Sequence, residues 1–251
     1  MKKKILLLFD VDGTIAYSGK KIDSSIKSIL DSLPQDRYEF GIVGGGEKTK
    51  IIEQIDGLSV HHLFTECGCN YYKKKDNGEF DTIYEKDIQK HEIYPQTKSL
   101  IGKCLEFIAL EVNCNISGKF IDRRKGLFYV SLVGMQASEK ERQDFIIEDN
   151  LYHYRDKILQ ILKNTIRPQF KEKIDVKIGG STGITIIPSE WNKSQVMKSI
   201  QINDYEKILF FGDKYKKDGN DYELLQHVAP NFFGVCVDTP QQTRMFLDNL
   251  S

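Results

Sequence analysis

The sequence predicts an α/β protein that has a parallel sheet and an inserted α+β cap with an antiparallel sheet. Two observations predict the parallel sheet: apolar runs at residues 5–9 and 208–211 each end in acidic residues, and helical repeats alternate with such runs. A third predicts the insertion, since this alternation gives way to hairpin patterns after about Asp81 and resumes after Pro188. We therefore expect a core of residues 1–81 and 188–251 and a cap of residues 82–187.

The predicted core begins with a strand, a loop and a helix. Residues 5–9 are an unbroken apolar run, the pattern of a strand buried on both faces. Apolar residues then repeat at helical spacing up to Leu33, with Asp23 or Ser24 as the N-cap and Pro34 closing the segment. A second strand at 40–43 leads into three glycines and a helix that ends near Gly57. Strands at 208–211 and 232–237 complete the core.

The predicted cap has a different order of elements. Ser138 and Glu141 have the spacing of a capping box, which predicts that a helix begins there. The remaining cap elements are a helix around 99–112, a hairpin within 119–133 that turns at 123–126, a helix with apolar residues from 151 to 162, and a strand pair within 175–187 that turns at Gly179 and Gly180.

Charge and cysteine content exclude several functional classes. Lysine plus arginine and aspartate plus glutamate each number 36, and this zero net charge argues against non-specific nucleic-acid binding. No apolar run reaches the roughly 20 residues that span a bilayer, and the N-terminal run lacks a small-residue cleavage site. The five cysteines show no C-x-x-C spacing, which disfavours disulfides and zinc. We expect a soluble, cytoplasmic, unprocessed chain that binds neither nucleic acid nor membrane.

The chemistry is indicated by Asp10-Val11-Asp12-Gly13-Thr14, directly after the first buried strand. Two carboxylates at the rim of an apolar sheet persist only if a cation neutralises them or one holds a proton, and both conditions suit phosphoryl transfer. We assign Asp10 as the nucleophile and Asp12 as the general acid/base. Gly13 permits the sharp departure from the strand, and the Thr14 hydroxyl can donate to an anion.

Asp, Gly and Thr also form ordinary turns, so this segment alone leaves a purely structural interpretation open. A second acidic group favours the catalytic one: Asp213 and Asp221 follow the buried run at 208–211. In a parallel sheet that strand can lie beside the first, which would bring Asp213 to the same rim as a Mg²⁺ ligand.

These motifs resemble those of the haloacid dehalogenase superfamily. They occur in the same order: Asp10-x-Asp12-Gly-Thr, the loop at 43–46, Lys193, and Gly212-Asp213 with Asp221. The resemblance implies a Rossmann-like core and gives Lys193, otherwise read as a surface lysine, the role of binding the transferring phosphate. It also implies the remaining site residues. The metal ligands are Asp10, Asp12, Asp213 and Asp221, and further phosphate or substrate contacts are Thr14, Gly45 and Asn220.

Within that superfamily, nearly the whole chain resembles the eukaryotic phosphomannomutases, for example at Phe120-Ile121, Trp191-x-Lys193 and residues 210–214. The resemblance implies interconversion of mannose 6-phosphate and mannose 1-phosphate for GDP-mannose synthesis, with Mg²⁺ and a hexose 1,6-bisphosphate activator. It implies a homodimer formed through the cap. It also assigns Arg124 and Arg142 to the distal phosphate, which guanidinium groups bind in a bidentate manner.

Several positions depart from that family. Met135 replaces a cap arginine, Gly183 and Thr185 replace a serine and an aspartate, Gly19 replaces an arginine, and Gly46 replaces a serine. An altered sugar pocket leaves a second hypothesis open, a sugar-phosphate or bisphosphate phosphatase in which water resolves the aspartyl phosphate. A third hypothesis is a non-catalytic homologue, but such a chain would not need Asp10, Asp12, Lys193 and Asp213 together.

Overall fold

A computed structural model of the protein describes residues 3–217 and 219–250. The strands are β1 (Lys4–Phe9), β2 (Tyr38–Val43), β3 (His62–Thr65), β4 (Asn70–Lys74), β5 (Phe80–Glu85), β6 (Ile121–Arg123), β7 (Phe128–Ser131), β8 (Ile174–Gly179), β9 (Gly183–Pro188), β10 (Tyr205–Gly212) and β11 (Phe232–Cys236). The α-helices are α1 (Ser24–Ser32), α2 (Lys48–Ile55), α3 (Tyr94–Glu111), α4 (Glu139–Tyr152), α5 (Tyr154–Thr165), α6 (Tyr222–Leu225) and α7 (Pro240–Leu247).

Seven strands form one sheet in the order β11-β10-β1-β2-β3-β4-β5. The neighbours from β11 to β3 pair in parallel, while β4 and β5 extend the sheet as antiparallel strands. The other four strands form a separate antiparallel sheet in the order β6-β7-β9-β8. The predicted α/β fold class with a second, antiparallel sheet is confirmed, whereas strands β3, β4 and β5 were not predicted.

Strand β1 is central because its apolar residues serve two hydrophobic cores. Leu7 and Phe9 pack into the core on one face of the sheet, and Leu6 and Leu8 pack into the core on the other. All four are fully buried, and burying such a side chain contributes about 1.5 to 3 kcal/mol. This two-sided burial explains why the run carries no polar alternation.

The register of the central strands places their carboxyl ends side by side. Phe9 lies opposite both Phe211 of β10 and Ile42 of β2. The Asp10 amide then donates to the Phe211 carbonyl at 2.9 Å, so β1 and β10 stay paired until their acidic residues begin. Ligand sites of parallel sheets lie at this edge.

The chain divides into two units. One contains the residues up to Glu85 and from Trp191 onward, and the other is Lys86–Glu190. The boundaries expected after residues 81 and 187 lie a few residues before those of the two units. β5 continues to Glu85, and a short 3-10 turn, Ser189–Trp191, follows β9. The assignment of residues 1–81 and 188–251 to a core and of residues 82–187 to a cap stays a prediction.

The second unit contains the capping box indicated by the sequence. Ser138 accepts from the Glu141 amide at 3.2 Å, and Glu141 Oε2 accepts from the Ser138 amide at 2.7 Å. Helix α4 therefore begins at Glu139 as expected, whereas α3 begins at Tyr94, earlier than expected. Across the described part of the chain, every helix is too short or too polar to cross a membrane.

Candidate active site

The loop after β1 turns sharply at Gly13 so that it can approach Asp213. Gly13 has φ +88°, a left-handed conformation that favours glycine. A Cβ at this position would lie 2.3 Å from Asp213 Oδ2, closer than any side chain tolerates. Glycine is therefore favoured here both by the backbone conformation and by the close approach of Asp213, which a side chain would displace.

Three carboxylates meet at this sheet edge. Asp10, Asp213 and Asp221 each offer an oxygen, and these oxygens lie within 4.8 Å of one another. Asp221 is fully buried and Asp10 is 6% exposed. Asp213 Oδ1 is buried and has no hydrogen-bond partner among the described residues. A cluster of carboxylate oxygens with one buried oxygen unpaired fits a hard divalent cation such as Mg²⁺.

Lys193 lies against two of these carboxylates. Its Nζ donates to Asp10 Oδ1 at 2.5 Å and to Asp221 Oδ1 at 2.6 Å, and its side chain is fully buried. It opens a 3-10 segment, Lys193–Lys198, capped by the Asn192 side chain, which accepts from the Ser194 amide at 2.9 Å. Burial alone would lower the pKa of Lys193, but the adjacent carboxylates raise it, so the lysine stays charged.

The charges within this cluster do not balance. Burial raises the pKa of Asp10 to about 8, Lys193 opposes this, and Asp221 and Asp213 add to it. Burial likewise raises the pKa of Asp213, although Lys214 donates to its carboxylate. Two ammonium groups, those of Lys193 and Lys214, therefore face three carboxylates. The net charge of the group is still negative, and a divalent cation would offset it.

The residues expected to contact phosphate lie around the same loops. Thr14 Oγ1 and Asn220 Oδ1 are buried without a hydrogen-bond partner among the described residues. A Cβ at Gly45 would lie 3.6 Å from Asn220 Nδ2, so the loop after β2 meets the loop after β10. The structure thus brings Gly45 and Asn220 together, and the role of these residues and of Thr14 toward phosphate stays a prediction.

The Asp12 carboxylate has different partners from those of Asp10. Its Oδ1 accepts from the Gly19 amide at 2.8 Å and from Gln54 Nε2 at 2.9 Å. Its Oδ2 lies 3.6 Å from Lys50 Nζ. The cluster of three carboxylates does not include it, and the expected contact of Asp12 with the metal stays a prediction.

Sequence reasoning missed three residues of this region. Gln54 lies between Ile51 and Ile55 on the buried face of α2, and a polar residue at such a position was the available signal. Lys50, one turn earlier, carried no signal. Cys67 is buried with φ +59°, and its Sγ would lie 3.8 Å from a Cβ at Gly45.

In the second unit, Arg124 and Arg142 are held by local partners. Arg124 Nε donates to Asp122 Oδ2 at 2.8 Å, and the Arg124 guanidinium lies 5.3 Å from the centre of the Tyr129 ring. Arg142 Nε donates to the Ala137 carbonyl at 2.9 Å, and Nη2 donates to the Met135 carbonyl at 3.0 Å. Each guanidinium is therefore oriented before any ligand binds.

Gly183, one of the expected departures from the family, has close neighbours that leave no room for a side chain. A Cβ there would lie 2.5 Å from Tyr129 Cζ and 2.5 Å from the Val130 carbonyl oxygen. The Tyr129 ring thus occupies the space that a serine at this position would need. Thr185, the other expected departure on β9, lies opposite Tyr129 in the strand register.

Comparisons with known proteins identify the family. A model of the eukaryotic phosphomannomutase family matches residues 26–251. Phosphomannomutase 1 of Mus musculus and of Homo sapiens are each 32% identical over 248 residues, which cover 96% of this chain and 90% of each relative. Phosphomannomutase of Encephalitozoon cuniculi is 30% identical over 253 residues, covering 98% of this chain and 93% of that protein.

Solved structures support the fold. The C-terminal domain of a trehalose-6-phosphate phosphatase from C. albicans matches with a TM-score of 0.63 and 16% identity, covering 99% of this chain and 92% of that chain. An IMP-nucleotidase from Plasmodium falciparum matches with a TM-score of 0.64 and 15% identity, covering 99% and 62%. At this identity the likeness concerns the fold alone. The family match and the relatives that align over almost the full length show that this chain belongs to the eukaryotic phosphomannomutase family.

Proposed function

We propose that the protein is a phosphomannomutase that interconverts mannose 6-phosphate and mannose 1-phosphate through a phosphoryl group carried on Asp10. The observation that carries this proposal is the buried cluster in which Lys193 contacts both Asp10 and Asp221 beside Asp213. A structural turn gains nothing from three carboxylates in this position, because their mutual repulsion and burial destabilise the fold. A phosphoryl-transfer site uses all of them.

The chain's own residues divide the chemistry between them. Asp10 Oδ2 is the free nucleophilic oxygen, since Oδ1 accepts from Lys193 at 2.5 Å. The Lys193 ammonium offsets negative charge on the transferring phosphoryl group, and Thr14, Gly45 and Asn220 contact its oxygens. Asp12 gives a proton to the leaving hydroxyl oxygen and takes one from the entering hydroxyl.

The cofactor proposed for the carboxylate cluster is Mg²⁺, which when bound neutralises charge on the phosphoryl oxygens. Asp10, Asp213 and Asp221 would hold it through carboxylate oxygens, and Asp12 is the fourth proposed ligand. We expect Mg²⁺ to raise the free energy of unfolding by about 1.4 kcal/mol for each tenfold excess over its dissociation constant. The rise is measured as an increase in the melting temperature. Asp213→Asn should abolish this shift, and a shift that survives in this variant would contradict the assignment.

A mutase must also hold the phosphate that is not being transferred, and Arg124 and Arg142 are proposed for this role. Their guanidinium groups are already oriented by Asp122 and by the Met135 and Ala137 carbonyls. A hexose 1,6-bisphosphate is the proposed activator, because it supplies the phosphoryl group that loads Asp10. We further propose a homodimer formed through the cap and a cytoplasmic role in GDP-mannose synthesis, both on the family resemblance.

The test is product analysis by phosphorus NMR. The protein is incubated with mannose 1-phosphate, Mg²⁺ and catalytic glucose 1,6-bisphosphate, and in parallel with glucose 1-phosphate. We expect mannose 6-phosphate from the wild type and a loss of about 10⁴-fold or more in Asp10→Asn. Asp36→Asn, at an exposed position, is the matched control and should keep the wild-type rate.

A second candidate, a sugar-phosphate or bisphosphate phosphatase, is favoured by the residues Met135, Gly183 and Thr185, which the family resemblance marks as departures in the sugar pocket. Losing a group that hydrogen-bonds the substrate costs about 1 to 3 kcal/mol, enough to shift the balance between sugar and water as acceptor. In the same experiment, inorganic phosphate without mannose 6-phosphate would reject the mutase and favour this candidate. Turnover that persists unchanged in Asp10→Asn would reject both.

A further inference from the structure

We propose that Gln54 is a positioning residue for Asp12: together with the Gly19 amide it holds Oδ1, so that Oδ2 is the oxygen that exchanges a proton with the substrate hydroxyl. The inference rests on the proposed function only in taking Asp12 as the general acid/base. It assigns to α2 a part in the chemistry that the motifs do not indicate.

The two oxygens of Asp12 differ in their surroundings. Oδ1 accepts from two N–H donors, Gly19 N at 2.8 Å and Gln54 Nε2 at 2.9 Å. An oxygen whose lone pairs are both engaged by N–H donors is a poor place for a further proton. The neighbour of Oδ2 is Lys50 Nζ at 3.6 Å, on a side chain that is half exposed and able to move aside. Oδ2 is thus the oxygen that a hydroxyl can reach.

Gln54 is itself held rigidly enough to act as a guide. The residue is 6% exposed and lies between the buried Ile51 and Ile55. Its Nε2 also donates to the Lys20 carbonyl at 3.2 Å, and the backbone carbonyl of Gln54 accepts from the Ile22 amide at 2.7 Å. Burying an amide on an apolar helix face costs free energy unless its hydrogen bonds are made, and here one of them goes to the proposed acid/base.

Proton placement matters only for some leaving groups. In transfer from a sugar bisphosphate, the ester O–P bond breaks, a bond from Asp10 to phosphorus forms, and the Asp12 proton passes to the leaving sugar oxygen. In transfer from acetyl phosphate, the leaving acetate is a weak base and departs without a proton. A residue that positions Asp12 should therefore affect the first donor and spare the second.

The experiment measures the rate at which Asp10 is phosphorylated in a single turnover, by rapid quench, with glucose 1,6-bisphosphate and with acetyl phosphate. In Gln54→Met, which keeps the side-chain length, we expect the bisphosphate rate to fall about 10²-fold, the lower range for general acid catalysis. The acetyl phosphate rate should change less than about threefold. Gln54→Asn, too short to reach Asp12, should behave alike and serves if the methionine variant fails to fold.

Two further variants separate positioning from stability. Gln96→Met removes another buried glutamine, one whose side-chain nitrogen and oxygen lack partners among the described residues, and should leave both rates unchanged. In an Asp12→Asn background, Gln54→Met should add no further loss, because the two residues act as one unit. Equal slowing with both donors, or independent losses in the double variant, would overturn the inference.

These outcomes are distinguishable from failure of the proposed function. Phosphorylation of Asp10 is common to a mutase and a phosphatase, so the two rates can be compared whichever product the enzyme releases. Only a wild-type protein that forms no phosphoenzyme from either donor would overturn both proposals.

Discussion

At the scale of single residues, Asp10 links the chemistry of the site to the stability of the metal-free protein. Burial and two carboxylates raise its pKa from 3.8 to about 8. The folded state then holds this proton more tightly than the unfolded state, so stability is greatest at low pH and falls as the pH rises through that window. The free energy of unfolding of metal-free protein should carry this dependence.

The prediction is tested by comparing wild type with Asp10→Asn in EDTA at pH 5 and pH 8. The quantity compared is the free energy of unfolding of Asp10→Asn minus that of the wild type. We expect this difference to increase between pH 5 and pH 8 by at least about 1.4 kcal/mol, the equivalent of one pKa unit. Urea unfolding provides the measurement, and saturating Mg²⁺ should remove the effect. A difference that stays constant between the two pH values would contradict the charge imbalance described for the cluster.

Gly13 offers a second prediction, with Gly78 as its matched control. Both have φ +88°, but nothing lies within 4 Å of a Cβ at Gly78, whereas Asp213 Oδ2 lies 2.3 Å from one at Gly13. Gly78→Ala should cost about 1 to 2 kcal/mol, the strain of a left-handed alanine. Gly13→Ala should cost a further 1 to 3 kcal/mol or so from crowding, and should weaken Mg²⁺ binding. The free energy of unfolding is measured with urea. Equal decreases in the two variants would show that the Asp213 side chain moves aside at no cost.

The site residues that could be predicted are those with a position along a strand. Asp10 and Asp213 each follow a buried apolar run, and parallel pairing necessarily brings such ends together. Gln54 and Lys50 could not be assigned, because their role depends on how the loop at 17–22 folds back onto α2. Lys193 was assigned only through family resemblance, since an abundant residue type carries no local signal.

At the scale of elements, the capping box of α4 is a test of local stability. Ser138→Ala removes the acceptor for the Glu141 amide and should cost about 1 kcal/mol. Ser28, on the exposed face of α1, is the control, and Ser28→Ala should change stability by less than about 0.5 kcal/mol. Urea unfolding of both variants is the measurement. Equal free energies of unfolding would mean that the Ser138 N-cap does not stabilise α4.

Strands β3, β4 and β5 were not predicted, for identifiable physical reasons. β3 has only four residues, all buried, too short a run to distinguish from a buried turn. β5 is an edge strand whose residues are all exposed or half-buried, so it shows no apolar alternation. The capping box and the central strands were predictable because a hydrogen-bonding rule or two-sided burial dictates their composition.

At the scale of the whole molecule, the unit Lys86–Glu190 interrupts the other in sequence without sharing its sheet. We predict that residues 86–190 expressed alone fold cooperatively, because they contain a complete antiparallel sheet with helices α3 to α5 and their own buried residues. Circular dichroism with a sigmoidal urea transition is the measurement. A gradual, non-cooperative transition would show that the segment depends on the rest of the chain.

The strand order has a consequence for synthesis on the ribosome. β1 pairs with β2 on one side and with β10 on the other, yet residues 205–212 emerge long after residues 4–9. At a translation rate of about 5 to 20 residues per second, one edge of β1 waits roughly 10 to 40 s for its partner. An unpaired apolar strand edge recruits other strands. The nascent chain therefore needs protection from mispairing at the segment that leads to its nucleophile.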